Sequence, residues 1–445
     1  MKEGENYMKT RLIPLLVISI LVIDGFYGNQ VFSAGRNYTG KEATEKITMT
    51  LSGKPGMEII LEHSFGNITI RPGQDNRIYI DGEKRVTVKD ERITDEFLNK
   101  MVLKIDEEPD KVKIITEYPD KNLKDKVKGF SISYTIEVPR DIIISVENSF
   151  GDIDINGVSK KITVTNSFGN LTALNLSGET SLTNKFGQIV AHDIAGPAEI
   201  TNTHSSLDIG HITGNLTAET KFGPIRVNDV TGTVRISGGY GAVECSKISS
   251  SAEINNSFGT VTCSTINGET SIKNSHGTTT ASDIKNNLTV ETSFGRVKAD
   301  NIQGNVRVEN QHASVDLDLI RGNAEVNTSF SSVDIDQVDG NVIVTNQHGS
   351  ITAQNILPNN TGSKRTVRLK TSHAPITVKV PETLSANITA STSFGKFKCA
   401  IPLNVNLGNI DVSSQNVQKI SGSIGDGKDT IDLEASFADI NVEKM

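Results

Sequence analysis

Residues 148–155 read Asn148-Ser149-Phe150-Gly151-Asp152-Ile153-Asp154-Ile155, and the same pattern returns in altered form along most of the chain. Aromatic or histidine anchors stand at Phe150, Phe168, Phe186, His204, Phe222, Tyr240, Phe258, His276, Phe294, His312, Phe330 and His348, every one 18 residues from the last. Self-similarity at a fixed short period marks a repeat architecture, and it takes precedence over any local reading of helix or strand.

With the anchor as position one, position nine is apolar in all twelve repeats, from Val158 and Leu176 to Val338 and Ile356. Position four is Ile, Leu or Val except at Thr279, and position six is apolar throughout, from Ile155 to Ala353. Positions thirteen and fifteen supply pairs such as Ile162 with Val164 and Val342 with Val344, separated by Thr, Ser, Asp, Glu, Lys or Asn. This is period-two alternation, so each repeat holds two short strands with one buried face. Eighteen residues cannot bury that face alone. Copies stacked in parallel bury it together. The expected fold is all-β, a parallel β-helix (solenoid) with 18-residue coils; a propeller needs four longer strands per blade.

The corners have their own residues. Position eleven carries Gly178, Gly196, Gly214, Gly232, Gly268, Gly304, Gly322 and Gly340, as a positive φ or a tight corner requires. Position seventeen carries Asn148, Asn166, Asn184, Asn202, Asn256, Asn274, Asn310 and Asn346, with Thr220, Thr292 and Thr328 between them and Gly238 as the exception. Stacked amides are expected to bond to one another along the axis and to satisfy backbone groups at a bend.

Four segments follow. Lys9 and Arg11 precede an apolar run from Leu12 to Ile23. That run is shorter than the roughly 20 residues a membrane span needs. Residues 1–34 therefore read as a secretory signal peptide, cut near Ser33 or Ala34, with Met8 an alternative start and an uncleaved anchor the alternative fate. Residues 35–147 form an N-terminal coil anchored at Phe65 and an insert. The insert has strand-like runs at 77–80, 85–88, 112–116 and 131–138 and a helix at 90–101, read as a strand-helix-strand cap over an otherwise open edge. Residues 148–357 are the regular β-helix. Residues 358–445 hold irregular C-terminal coils and a cap, with anchors at His373 and Phe394, a protruding loop at 359–365 and a last coil at 429–442 anchored at Phe437.

The Ser-Phe-Gly-x-Ile-x-Ile/Ala repeats at 149–155, 167–173 and 293–299 resemble those of the bacterial β-strand-repeat adhesin family, a resemblance covering roughly residues 45–445. It implies a β-helix in the cell envelope and brings no particular chemistry with it.

Composition agrees. The chain has 445 residues, net charge −8, 5% aromatics, no Trp, and 38 each of Gly and Asn. An acidic balance argues against nucleic acid as a partner, and a thin-cored rod accounts for only 36% hydrophobic residues. Cys245, Cys263 and Cys399 all fall at position six, the column that otherwise holds Ala173, Ala191, Ala281, Ala299 and Ala353, so they read as small core residues. Five histidines replace the anchor Phe and read as rings stacked on their neighbours rather than as metal ligands. Asp316 and Asp318 are predicted to lie beside Asp334 and Asp336 in the next coil, with Asp300 extending one column. Crowded carboxylates of this kind are candidates for a weak Ca²⁺ site, with a solvated acidic face as the alternative. Gly425-Asp426-Gly427-Lys428-Asp429-Thr430-Ile431 matches part of a Ca²⁺-binding repeat, but only one copy is present and it reads as a turn.

Uninterrupted repeats from Phe150 to Ile356 leave no loops to wall a pocket, so no catalytic residues and no cofactor are expected. The expected role is an exported bacterial protein of periplasm, cell surface or medium, with no transmembrane span in the mature chain. It would act as a structural or adhesive surface toward a protein or polysaccharide ligand. A periplasmic scaffold in envelope-stress signalling and a carbohydrate-active β-helix enzyme are the alternatives.

Overall fold

The computed structural model describes residues 30–356, 364–405 and 418–445. The basic start and apolar run of the expected leader, and residues 359–363 of the expected loop, lie outside them. The chain is all-β, with long sheets of stacked parallel strands, and divides into two compact units that meet in sequence at Ser177 and Gly178.

In the first unit, strand Glu58–Glu62 lies between Lys111–Glu117 and Ile143–Phe150, parallel to both. Ile68–Pro72 likewise lies between Val127–Val138 and Ile153–Asn156. The residues around Phe65 therefore neighbour those around Phe150, as their matching offsets predict, although 85 positions separate the two anchors. Antiparallel strands flank the parallel ones: Gln30–Thr39 pairs with Glu42–Ser52, that strand with Arg77–Val88, and that one with Val127–Val138.

The insert differs from expectation in three ways. The two short runs at 77–88 are one strand, alternately buried and exposed along its whole length. The helix at 90–101 shrinks to a 3₁₀ turn, Glu91–Ile93, and the six-residue helix Thr94–Asn99. Asp90 caps the turn by accepting from the Arg92 amide, Phe97 and Leu98 bury the apolar side, and Val102 already begins a strand. The hairpin at 30–52 was not anticipated. It starts inside the expected leader, so cleavage near Ser33 or Ala34 would leave residues 35–39 to pair with Glu42–Ser52.

From Thr180 to Gln354 in the second unit, successive strands of each sheet pair in parallel with partners eighteen residues on. One sheet runs through Ile189, Leu207, Ile225, Val243, Val261, Thr279, Val297, Val315, Val333 and Ile351 as direct partners. The other runs through Thr180, Ala198, Leu216, Val234, Ala252, Thr270, Leu288, Val306, Ala324 and Val342. Position nine is buried in every repeat as expected, from Ile194 to Ile356. Thr279, the exception at position four, is fully buried, and its hydroxyl accepts from Asn274 Nδ2 at 3.3 Å.

The corners behave differently from the sequence reading. Of the eight position-eleven glycines, only Gly178 and Gly196 have positive φ. The others are required by close approach, since a Cβ on Gly232 would lie 2.4 Å from the Gly214 carbonyl oxygen. The left-handed residue sits instead at position eight, a glycine in the first repeat (Gly157, φ 72°) and a non-glycine residue in the other eleven, from Asn175 to Asn355, with φ between 49° and 64°.

The position-seventeen amides are buried, and they serve mainly the backbone. Asn274 Nδ2 donates to Gly259 O at 3.1 Å and Gly277 O at 3.0 Å, and Asn346 Nδ2 to Ser331 O at 2.7 Å and Gly349 O at 2.9 Å. One amide-to-amide contact in this column joins Asn256 Nδ2 to Asn274 Oδ1 at 3.5 Å. A coil-to-coil ladder exists elsewhere, at the exposed position twelve. There Asn287, Asn305, Asn323 and Asn341 each accept, through Oδ1, from the backbone N–H of the next coil at 2.7–2.9 Å.

The C-terminal coil is not the last one in space. Asp429–Ala435 lies between Thr366–Thr371 and Ala386–Thr392, and Ile440–Lys444 lies between Ile376–Val380 and Phe397–Cys399. Residues 386–399 form the outer coil, against which Gln418–Ile424 packs antiparallel. Arg365, expected in a projecting loop, is buried instead and pairs with buried Asp429 at 3.0 Å.

Candidate functional site

The anchors build the most extended feature of the second unit. Thirteen rings stack face to face from Phe186 through His204, Phe222, Tyr240, Phe258, His276, Phe294, His312, Phe330, His348, His373 and Phe437 to Phe394. Neighbouring centroids are 4.3–5.4 Å apart and the planes lie within 21° of parallel. The histidines take their places as stacked rings, as expected. In the first unit Phe65, Phe150 and Phe168 form the same kind of stack.

The phenylalanines and tyrosine of the long stack are 41–61% exposed. Stacking covers the ring faces, so what meets solvent is a line of ring edges. Those edges carry the positive end of the ring quadrupole, and the histidine edges add ring nitrogens. Sequence spacing located these rings and their stacking, but the extent of their exposure is a structural finding.

Beside the stack runs a groove of about 500 Å³ over five coils, lined by outward positions sixteen and eighteen from Lys273 and Ser275 to Thr345 and Gln347. Charged groups in the groove are mutually paired: Lys273 with Glu291 at 2.9 Å, and Arg307 with Glu309 and Glu325 at 2.7 Å each.

The acidic candidates lie where the sequence places them. Asp316 pairs in register with Asp334, Asp318 with Asp336, and Asp300 with Asp318. Partial burial, with the charges of Asp336 and Asp300, raises the Asp318 carboxyl above its usual range. Two of the four carboxylates already have protein donors: Arg296 binds Asp316 at 2.7 Å, and the Gln354 and Asn355 amides bind Asp336 at 2.8 and 2.7 Å. Among the described residues, no group of three or more His, Cys, Asp or Glu side chains is arranged to hold a metal ion.

Cys245 and Cys263 are direct register partners, buried and unbonded, as small core residues should be. Burial pushes the Cys245 thiol up to about 12 and the Cys263 thiol well above its ordinary value, so neither is a thiolate nucleophile at neutral pH. Cys399 is half-buried and donates to Ile401 O at 3.2 Å. Residues 425–427 form the turn that leads into Asp429–Ala435, with Gly425 and Gly427 at φ 57° and 65°.

Three clusters had no signal in the repeat pattern. In the insert, buried Glu45 and Lys84 pair at 3.0 Å, Arg36 joins at Glu45 at 2.5 Å, and Arg36 also reaches Asp95. Below Phe65, buried His63 meets the Thr116 hydroxyl at 3.0 Å and the Tyr118 hydroxyl at 3.2 Å, and burial lowers its pKa to about 4. In the second unit His192 meets Asp208 at 3.3 Å, and His211 lies between Asp193 and Asp229 at 3.8 and 3.3 Å. The first two clusters join separate strands of the insert through buried or half-buried groups and present no convergent acid and base to a cleft.

No helix among the described residues is long and apolar enough to cross a membrane. No protein-family model and no curated protein matches the chain. Solved structures with some likeness include a "putative cell adhesion protein" from Clostridium sporogenes. It is 11% identical, covering 90% of this chain and all of that one at a TM-score of 0.17. A "putative lipid binding protein" from Parabacteroides distasonis is also 11% identical, covering 73% of this chain and 89% of that one at a TM-score of 0.17. Likeness at this level carries nothing over to this chain.

Proposed function

We propose that this chain is an exported, non-catalytic parallel β-solenoid of 18-residue coils, covered at its N-terminal end by the strand-helix-strand insert, and that it serves as an extended binding surface of a bacterial envelope. One observation carries the reading: a stack of thirteen exposed rings continues coil after coil, with a polar groove running beside part of it. A repeated surface suits a repeated or elongated partner, whereas catalysis needs a few groups converging on one point. The acids and bases outside the groove are largely spent on one another, as Arg296 is with Asp316 and Arg365 with Asp429. The short apolar run behind Lys9 and Arg11 supports export.

The test is to express the chain with its own leader, purify the exported form and measure its retention on envelope material. Saturable retention on polymer or intact surface, with the material chemically unchanged, is the expected result. A single dominant cross-linked protein partner would instead make it a signalling scaffold, and release of soluble sugar fragments would make it an enzyme.

A further inference from the structure

The residues that follow each ring of the stack differ from the rest of the outer surface in charge and in size. With the ring as position one, positions one to three of the thirteen coils from Phe186 to Phe394 carry three charges among thirty-nine residues, while the chain as a whole is 22% charged. Two positions further on, position five carries seven charges among thirteen. The residue directly after the ring is Gly in eight coils, Ala in three and Ser in two, so nothing larger than a hydroxymethyl group rises beside the ring edges. Gly259, Gly277 and Gly295 leave no room for more, since a Cβ on each would lie 2.0–2.4 Å from a carbonyl oxygen of the coil before. The three charges are Arg296, Lys396 and Asp439. Arg296 is drawn away to Asp316 at 2.7 Å, and Asp439 accepts from the Lys396 backbone N–H at 2.9 Å and pairs with Lys398 at 3.0 Å.

Phenylalanine and tyrosine edges that are 41–61% exposed, a border of small uncharged residues and a charged margin beyond it match the core and rim of a protein–protein interface. By the usual coil and residue spacings the strip is roughly 58 Å long and, with the ring edges, roughly 12 Å wide. Covering it would bury about 700 Å² on each partner, close to the ~800 Å² per partner of a stable interface. The occupant has to cover a ridge, and a single extended chain lying along one flank buries little of it. A partner that meets every rung needs its own border of small residues as long as the stack, repeated at the same 4.3–5.4 Å interval as the rings. A second copy of this chain supplies both.

We infer that this strip is a homodimer interface, in which two copies are related by a two-fold axis and the ring edges of each lie on the Gly, Ala and Ser border of the other. This rests on the reading above of the ring stack as a binding surface and names one partner for it. The groove is lined by the residues that precede the rings, positions sixteen to eighteen, and stays open in such a dimer.

The experiment is sedimentation of the purified exported protein from about 1 to about 100 µM, where a reversible monomer–dimer equilibrium is expected. The triple variant Thr260→Arg, Thr278→Arg, Ser314→Arg sets three unpaired cations on the border of each copy and should weaken dimerisation at least about tenfold. None of the three side chains has a hydrogen bond among the described residues, so the variant should keep the circular dichroism of the parent. A control with the same added charge at position fourteen, Thr217→Arg, Ser271→Arg, Thr289→Arg, should dimerise as the parent does. A parent that stays monomeric at the highest concentration overturns the inference, as does a dimer that the first variant leaves intact or that both variants weaken equally. A monomer that envelope material still retains overturns this inference and leaves the binding-surface reading standing. A dimer that envelope material does not retain keeps the interface and removes the envelope as its target.

Discussion

Position eight makes a stringent demand of the repeat, because it holds a non-glycine residue in the left-handed region in coil after coil. For an L-residue that conformation costs about 1–2 kcal/mol, while Asn and Asp adopt it more readily. Six of the eleven positions are Asn or Asp; Thr265 and Gln337, at φ 57° and 54°, are not. Both are exposed and neither side chain has a hydrogen-bond partner among the described residues, so replacing them loses no such bond there. Thr265→Asn should stabilise the chain by about 1 kcal/mol, the β-branched residue being the more strained of the two. Gln337→Asn should add a similar or slightly smaller gain. Four coils apart, roughly 19 Å at the usual strand spacing, the two should add to about 2 kcal/mol. Urea unfolding is the assay, with the midpoint moving up and the slope unchanged. Thr262→Asn provides the control of sign: it lies three residues away in an extended strand, where Asn is the poorer residue, and should lower the midpoint. Equal responses at 262 and 265, or a fall at both 265 and 337, would refute the reasoning.

Three further outcomes follow from buried groups. His63 ordinarily titrates near 6.5 but is held neutral to about 4 in the fold, so the unfolded chain binds the extra proton between those values. Stability should therefore be complete above pH 6.5 and fall by about 3 kcal/mol as pH drops to 4, and His63→Gln should flatten that slope in pH-dependent denaturation. Asn346→Ala strips the donor from the Ser331 and Gly349 carbonyls and should cost about 1–3 kcal/mol in thermal or urea unfolding. Asp429→Asn leaves the Arg365 guanidinium buried without its counter-charge, and should cost about 3–5 kcal/mol. It should also expose the intercalated strand Asp429–Ala435 to limited proteolysis before the rest of the chain is cut.

The register of the sheets was legible because each coil repeats its apolar positions at a fixed spacing, so a single slip would turn every buried side chain outward. That is why the Cys245–Cys263 contact, the Asp316–Asp334 contact and the neighbourhood of Phe65 and Phe150 could be named in advance. The left-handed corner had a partial signal in Gly157 and the six Asn and Asp residues of position eight, diluted by Lys247, Thr265 and Leu319, while the position-eleven glycines mark the tight corner rather than, in most coils, a positive φ. The amide ladder was placed at position seventeen, where burial turns the amides toward carbonyls. The true ladder at position twelve looks like ordinary surface asparagine. Nor does chain order reveal that residues 429–444 slip between two earlier coils. Phe437 fits the stack equally well beside His373 or beyond Phe394, and the buried Arg365–Asp429 pair that fixes its place spans 64 residues. In the insert, Glu45 and Lys84 sit at buried positions where charge normally argues against burial, and only their pairing across strands resolves it.

The proposed function turns on whether binding uses an extended row of coils, and solvent footprinting of the protein bound to envelope material tests this most directly. Protection should run in a line along consecutive coils between Lys273 and Gln347 beside the ring stack, sparing the outward threonines of the opposite sheet. Protection confined to the insert around 77–138, or none despite retention, would contradict the account.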